Sequence, residues 1–495
     1  MPDAPAPKTC SAFRNDALGH DDATALARRL REKEVSVAEV TQAAIDRANV
    51  AQPLLQGVAA EDYERAMAEA RALDNHDRPA SWPYFRGVPT FIKDNTNVAG
   101  QTTQHGSLAV PAARATDTSP FARQLLAQGF VCLGKSTLPE FGFNATTEPA
   151  HAPATRNPWN LGYSAGASSG GSAALVAAGV VPVAHANDGG GSIRIPAACC
   201  GLVGLKPTRA RLLDNEAAAS LPLNIIGEGI VSRSVRDTAN FLEQAELFHR
   251  NTRLAAVGHM EGPSDRKLRI GLVLDSINGH RTDDITRRTV EKTAHTLEKL
   301  GHRVEPIPVP VHRSFPEDFA LYWALLAFGV RVNGKKLLHP EFDRQQTDGL
   351  TNGLDALFRR QFWRLPAALW RLKQSHRDYS QAMKGYDAVL TPVLGHTTPE
   401  LGHLSPDVPF DTLFERLRRY VSFTPLANAT GAPAIALPMG RTPENLPVAV
   451  QFMGQHSGER TLLDIAFALE AEAPWPLLHS ANVTGKAGQP VTDPA

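Results

Sequence analysis

Three residues far apart in the chain could together cleave an amide: Lys93 in FIKDN, Ser168 in GASSGG and Ser192 in NDGGGSIRIPA. A serine that attacks an amide carbonyl needs a base for its proton, a route for that proton to the leaving nitrogen, and N–H groups aimed at the oxyanion. A lysine can be the base only when neutral, which requires burial away from carboxylates, because desolvation lowers an amine pKa and a nearby acid raises it. Asp94 follows Lys93 directly. Consecutive side chains on a strand point to opposite faces, so this acid need not face the site of the amine. The glycines before Ser192 leave backbone open to a substrate, with no Cβ in the way.

Both serines lie in one stretch, Gly162 to Thr208, where loops rich in glycine and serine flank an apolar segment from Ala173 to Ala184. A flexible Gly/Ser linker would be polar throughout. Two other short patterns point elsewhere. Gly129 to Ser136, GFVCLGKS, has the spacing of a phosphate-binding loop, which needs a strand, then free amides, then a helix start. Here a helix comes first and Phe130 to Leu133 form the strand, so the amides belong to a sheet and nucleotide binding is the unfavoured rival. Gly162 to Gly166, GYSAG, has the spacing of a nucleophile elbow, which needs a preceding strand. NPWNLG does not read as one, and Ser164 is set aside. His185 reads as a core histidine, and Cys199 and Cys200 as packing residues.

The elements that must position these residues alternate. Helical spacing marks Asp22 to Arg31, Ser36 to Asn49 with a Ser36/Glu39 capping box, and about Asp62 to Leu73. Residues 87 to 95 then turn strand-like and end on Lys93. A helix capped by Ser119 with Pro120 at its first position leads into the strand at 130 to 133. A strand at Val181 to Ala184 and a helix after Ser234 follow. Arg269 to Leu274, Asp283 to Leu300 and Arg303 to Pro306 read as strand, helix, strand, with later strands at Ala388 to Thr391, Ala434 to Leu437 and Val448 to Met453 and a last helix at Glu459 to Glu470. This alternation predicts an α/β fold with a mixed, mostly parallel sheet covered by helices on both faces. Residues 1 to 20 read as a mobile arm, 21 to 478 as one domain, and 479 to 495 as a polar tail. Residues 310 to 380 look irregular and aromatic-rich.

With 495 residues, 42% of them hydrophobic and 7% aromatic, the chain has the composition of a soluble globular protein. Lys plus Arg and Asp plus Glu number 51 each, so no global field recruits nucleic acid or an anionic surface. Four cysteines are too few for a disulfide framework, no stretch reads as a signal peptide, and no apolar run is long enough to span a bilayer. A cytoplasmic protein with a small-molecule partner, no nucleic acid and no membrane is expected.

At the Lys93, Ser168 and Ser192 motifs the sequence resembles the amidase signature family, which cleaves amides with a Ser-Ser-Lys triad. The 24-residue separation of the two serines is the one the family keeps, and the similarity continues through GLVGLKPT, VSRSVRD and LANATGAPAIALP. The resemblance implies the amidase signature fold, with Ser192 as nucleophile, Lys93 as base and Ser168 as the relay between them, following a cis Ala167–Ser168 peptide. It implies an oxyanion hole from the amides of Gly189, Gly190, Gly191 and Ser192. The family usually has Gly at Ala167 and Thr at Asn187, so the residues behind the triad can differ here. Asp188 and Arg194 are expected to pair and hold the nucleophile loop, and Ser169 is either a neighbour of the triad or a plain turn residue.

The resemblance implies no metal and no organic cofactor, and it admits a homodimer. Within the family the chain looks most like the bacterial subgroup that includes cyclic-dimer hydrolases, which suggests linear or cyclic amides with apolar chains. Phe319, Tyr322 and Trp323 are the expected pocket residues. A glutamine amidotransferase subunit is the rival within the family.

Overall fold

The lysine strand and the nucleophile loop come from two sheets that meet edge to edge. In the computed structural model, which describes residues 8–75 and 82–481, one sheet has three strands in the order Val58–Glu61, Val131–Ser136, Pro89–Lys93. The other has eight, in the order Arg303–Pro306, Arg269–Leu272, Ala388–Pro392, Pro447–Gly454, Ala434–Arg441, Val203–Lys206, Gly227–Ser232, Val183–Asp188. Pro89–Lys93 lies beside Val183–Asp188 without a backbone ladder. Side chains close the seam: Thr90 Oγ1 donates to the Val183 carbonyl at 3.0 Å, and the Lys93 N–H donates to His185 Nδ1 at 3.2 Å.

The large sheet is mixed, as expected, but its majority is antiparallel. Only Arg269–Leu272 pairs in parallel, with Arg303–Pro306 on one side and Ala388–Pro392 on the other; every other neighbour is antiparallel. Adjacent parallel strands need a crossover connection, and the helix Asp284–Lys299 supplies one. The helix Arg194–Cys200 also joins two strands that run the same way, Val183–Asp188 and Val203–Lys206. Gly227–Ser232 inserts between them in the opposite direction. An inserted strand leaves no mark in the local pattern from which parallel pairing was expected.

Local capping chemistry sets the helix starts. Ser36 and Glu39 form both halves of a capping box, Asp22 accepts from the Ala25 N–H, and Ser234 accepts from the Asp237 N–H. Ser119 occupies a cap position but makes no cap bond; its hydroxyl donates to Glu216 instead, and Pro120 alone sets the turn. Residues 310 to 380 are not irregular. They form three helices, Phe315–Leu337, Gly349–Gln361 and Leu365–Ala382. The first is apolar on several sides because it faces both the core and a cavity, which blurs the helical period.

The expected N-terminal arm is packed from residue 8 onward. Cys10 and Ala12 donate backbone bonds to Pro158 and Ala178, and Arg47 clamps the Arg14 and Gly19 carbonyls. Residues 1–7 and 482–495, the outer parts of the expected arm and tail, lie outside the described residues. One apolar cluster extends from Cys10 to Trp475. All four cysteines are free and buried.

Candidate active site

The strand Val183–Asp188 ends in the loop Gly189 to Ser192, which runs into the helix Arg194–Cys200. Asp188 holds this loop. Its carboxylate accepts from the Gly191 N–H at 2.7 Å and the Ile193 N–H at 3.1 Å, and from Arg194 Nε and Nη2 at 2.9 Å each. Both side chains of the pair are fully buried. Burial alone would raise the Asp188 pKa, but the Arg194 guanidinium and the Asn428 amide hold it well below the usual carboxylate range. Arg194 Nη1 reaches the Thr424 carbonyl and Gln451 Oε1, and Nη2 reaches Asn428 Oδ1. Asn428 in turn donates to the Asp188 carbonyl at 2.7 Å, and Thr424 Oγ1 donates to the Gly190 carbonyl at 2.6 Å.

These bonds divide the four amides expected to face an oxyanion. The Gly191 N–H is committed to Asp188, and Gly191 does not line the cavity. Its φ of +134° lies in the range that favours glycine, and a Cβ there would stand 2.4 Å from Thr424 Oγ1. The N–H groups of Gly189, Gly190 and Ser192 have no partner among the described residues, and all three residues line the cavity. Gly191 is therefore withdrawn from the oxyanion set: the carboxylate that shapes the loop uses its donor.

Lys93 ends the strand Pro89–Lys93 and is completely buried. Its Nζ donates to Asn187 Oδ1 at 2.8 Å and lies 2.8 Å from Ser168 Oγ. Burial pushes the amine down to about 7, against the opposing pull of the Glu228 and Asp188 charges. Asp94 stands in the turn just past the strand, and its carboxylate accepts from the Gln104 N–H instead of pairing with the amine. Behind the lysine, His185 accepts from the Lys93 N–H at Nδ1 and stands 2.9 Å from Glu228 Oε2 through Nε2, so it is a satisfied core histidine that aligns the lysine strand.

Ser168 follows the cis Ala167–Ser168 peptide and precedes the helix Gly170–Ala177. Gly170 and Gly171 are required by space: a Cβ at either would come within 2.3 Å of Thr147 Oγ1 or Thr137 Oγ1 respectively. Ser169 Oγ donates to the Asn187 carbonyl at 3.4 Å, which makes it a neighbour of the lysine's partner and not only a turn residue. Gly142, a residue the sequence reading did not single out, has φ +73° and would place a Cβ 2.9 Å from Ser168 Oγ. Asn428 and Thr424 were also not singled out, although both lie in or beside the LANATGAPAIALP segment.

Ser168, Asn187, Gly189, Gly190 and Ser192 share one cavity. Its walls are largely apolar, with Phe141, Ile225, Phe319, Trp323 and Phe414 among them. Tyr322 is not a lining residue. It is fully buried, in the apolar cluster that Phe319 also packs against, and its hydroxyl donates to the Leu223 carbonyl at 2.6 Å. The Ser192 hydroxyl makes no hydrogen bond among the described residues.

The competing motifs are used elsewhere. Val131–Ser136 is a buried strand, and Lys135 Nζ donates to the Thr96 carbonyl and Thr103 Oγ1 inside the fold, with no open loop for a phosphate. Ser164 does end a strand, Asn160–Ser164, contrary to the reading of NPWNLG. Its hydroxyl nevertheless meets Thr146 Oγ1 at 2.7 Å and does not line the cavity. Among the described residues no group of three or more His, Cys, Asp or Glu is placed to hold a metal ion.

The family model described as Amidase matches residues 39–463. The chain is 45% identical to a putative amidase, AmiC, of Mycobacterium leprae, over 94% of this chain and 97% of that protein. It is 34% identical to a 6-aminohexanoate-cyclic-dimer hydrolase of Paenarthrobacter ureafaciens, over 92% and 95%. A solved structure of 6-aminohexanoate cyclic dimer hydrolase complexed with substrate superposes with a TM-score of 0.81 at 30% identity, over 93% of this chain and 98% of that one.

Proposed function

The chain belongs to the amidase family and is an enzyme that hydrolyses amide bonds, and we propose that it does so through an acyl-enzyme formed on Ser192. Neutral Lys93 accepts the Ser168 proton while Ser168 Oγ takes the proton of Ser192. The Ser192 oxygen adds to the carbonyl carbon, and the oxyanion is met by the N–H groups of Gly189, Gly190 and Ser192. Collapse breaks the C–N bond, and the proton held on Lys93 returns through Ser168 to the leaving nitrogen. Water then takes the place of the amine, gives up its proton along the same relay, and releases the carboxylic acid and free Ser192.

The observation that carries this reading is the buried Lys93 amine, pushed down to about 7, 2.8 Å from Ser168 Oγ in the cavity that also holds Ser192. A general base is most effective when its pKa lies near the working pH. The substrate we propose is a small linear or cyclic, largely apolar amide. The apolar walls support this, as does similarity to relatives named for hydrolysis of a cyclic amide dimer.

Labelling with a fluorophosphonate, followed by peptide mass spectrometry, tests the nucleophile. The adduct should sit on Ser192, disappear in Ser192→Ala and form more slowly in Lys93→Ala. An adduct on Ser164 or any other serine would overturn the assignment. A panel of aliphatic, aryl and cyclic amides with glutamine then tests the substrate class, with glutamine expected to be among the poorest.

A further inference from the structure

The helices between residues 310 and 380 carry a surface that the catalytic reading does not use. Trp363 and Trp370 are each 65% exposed and Phe362 58% exposed, within nine residues of chain. Phe362 and Trp363 form the short turn before the helix Leu365–Ala382, their rings 5.8 Å apart and edge to face. On that helix Ala368, Leu372, Ser375 and Tyr379 face the core. Pro366, Trp370 and Lys373, spaced four and three apart, share the exposed side.

The same stretch is basic in a chain whose formal net charge is zero. Residues 356 to 377 contain Arg359, Arg360, Arg364, Arg371, Lys373 and Arg377 and no Asp or Glu. Arg371 pairs with Asp318, and Arg359 shares Asp355 with Arg331. Arg360, Arg364, Lys373 and Arg377 have no ion pair among the described residues, and all four are exposed. We propose that this aromatic and basic face, centred on Phe362, Trp363 and Trp370, docks the enzyme on an anionic lipid surface.

Two features favour lipid over a second copy of the chain. Exposed tryptophans flanked by Lys and Arg suit the boundary between headgroups and acyl chains, where the ring is buried and its N–H stays wet. In a twofold pair through this face, Arg360, Arg364 and Lys373 would meet their own counterparts, so like charges would oppose association. No described helix is long and apolar enough to cross a membrane. The expectation of no membrane partner came from the zero net charge and from the lack of a spanning run; a basic patch acts locally within a Debye length, and a helix lying in the interface needs no spanning run. The helix Phe315–Leu337, against which this face is built, supplies Phe319 and Trp323 to the cavity wall.

Co-sedimentation of the full chain with vesicles tests the proposal without any substrate, so its outcome is independent of the catalytic reading. The protein should bind vesicles of equal parts phosphatidylcholine and phosphatidylglycerol and leave pure phosphatidylcholine unbound, at roughly 0.1 M salt. Triple charge reversal at Arg360, Arg364 and Lys373 should weaken binding about ten-fold or more, and Phe362→Ser with Trp363→Ser and Trp370→Ser should do the same. Hydrolysis of a water-soluble amide should be unchanged in both variants, which shows that they fold. Failure to bind the anionic vesicles overturns the proposal, as does binding that neither variant weakens. A dimer by light scattering that the aromatic variant converts to monomer would assign the face to a second copy instead.

Discussion

Lys93 Nζ donates to Asn187 Oδ1 at 2.8 Å, so the side chain that orients the buried amine is a neutral amide and not a carboxylate. Asn187 is itself held by Asn95, whose Oδ1 accepts from Asn187 Nδ2 at 3.1 Å. The arrangement fixes the lysine's position without adding a charge that would keep it protonated.

This geometry has a pH signature. Burial lowers the Lys93 pKa to about 7, so the neutral, base-competent form grows as pH rises through that value. The ratio kcat/KM should climb between about pH 6 and 8 and then level off. Asn187→Asp places a carboxylate against the amine, favours the ammonium, and should move the rising limb up by about 1 to 3 pH units. A pH–rate profile that does not move would separate Lys93 from the base role.

Removal of the proposed relay should cost rate and not fold. Ser192→Ala is expected to lower kcat by about 10⁴-fold or more, and Lys93→Ala by about 10² to 10⁴-fold, with circular dichroism and thermal unfolding close to those of the parent. Steady-state kinetics on any well-hydrolysed amide measures both.

Gly142→Ala tests the space around the relay. The new Cβ would stand 2.9 Å from Ser168 Oγ, so Ser168 must shift. A shift near 1 Å in a reacting group is expected to lower kcat roughly 100-fold. KM should change much less, because Gly142 is displaced against Ser168 and not against the apolar walls.

The buried Asp188–Arg194 pair predicts a stability effect. Arg194→Met leaves the Asp188 carboxylate without its counter-ion in a fully buried site and should destabilise the fold by about 3 to 5 kcal/mol. Arg194→Lys should not recover it, since one ammonium cannot replace the bonds to Asp188, Thr424, Asn428 and Gln451. Urea denaturation of the two variants checks this.

Tyr322 and Phe319 should behave differently although they share a helix. Tyr322→Phe removes a buried hydroxyl that bonds both Leu223 backbone groups and should cost about 1 to 3 kcal/mol of stability with kcat/KM unchanged. Phe319→Trp projects into the cavity and should shift preference toward shorter amides, read from kcat/KM across a chain-length series.

The Lys93, Ser168 and Ser192 motifs and the glycine loop could be read directly from the chain, because each is a contiguous signal whose residue types are set by local chemistry. Helix starts at Ser36 and Ser234 were readable for the same reason. Other features depend on which segments become neighbours. The lysine strand meets the Val183–Asp188 strand only in the fold, through His185 and Thr90, and the helix with Tyr322 turns one aromatic inward and two toward the cavity. Gly142 matters because the fold brings it against Ser168, and Gly191 leaves the oxyanion set because Asp188 bends back to take its N–H. The insertion of Gly227–Ser232, which makes the sheet mainly antiparallel, is likewise a matter of partnership. Residue type and spacing specify what a side chain can do, but burial and long-range contact decide which proton it holds and which partner it meets, and those arise only when distant segments pack.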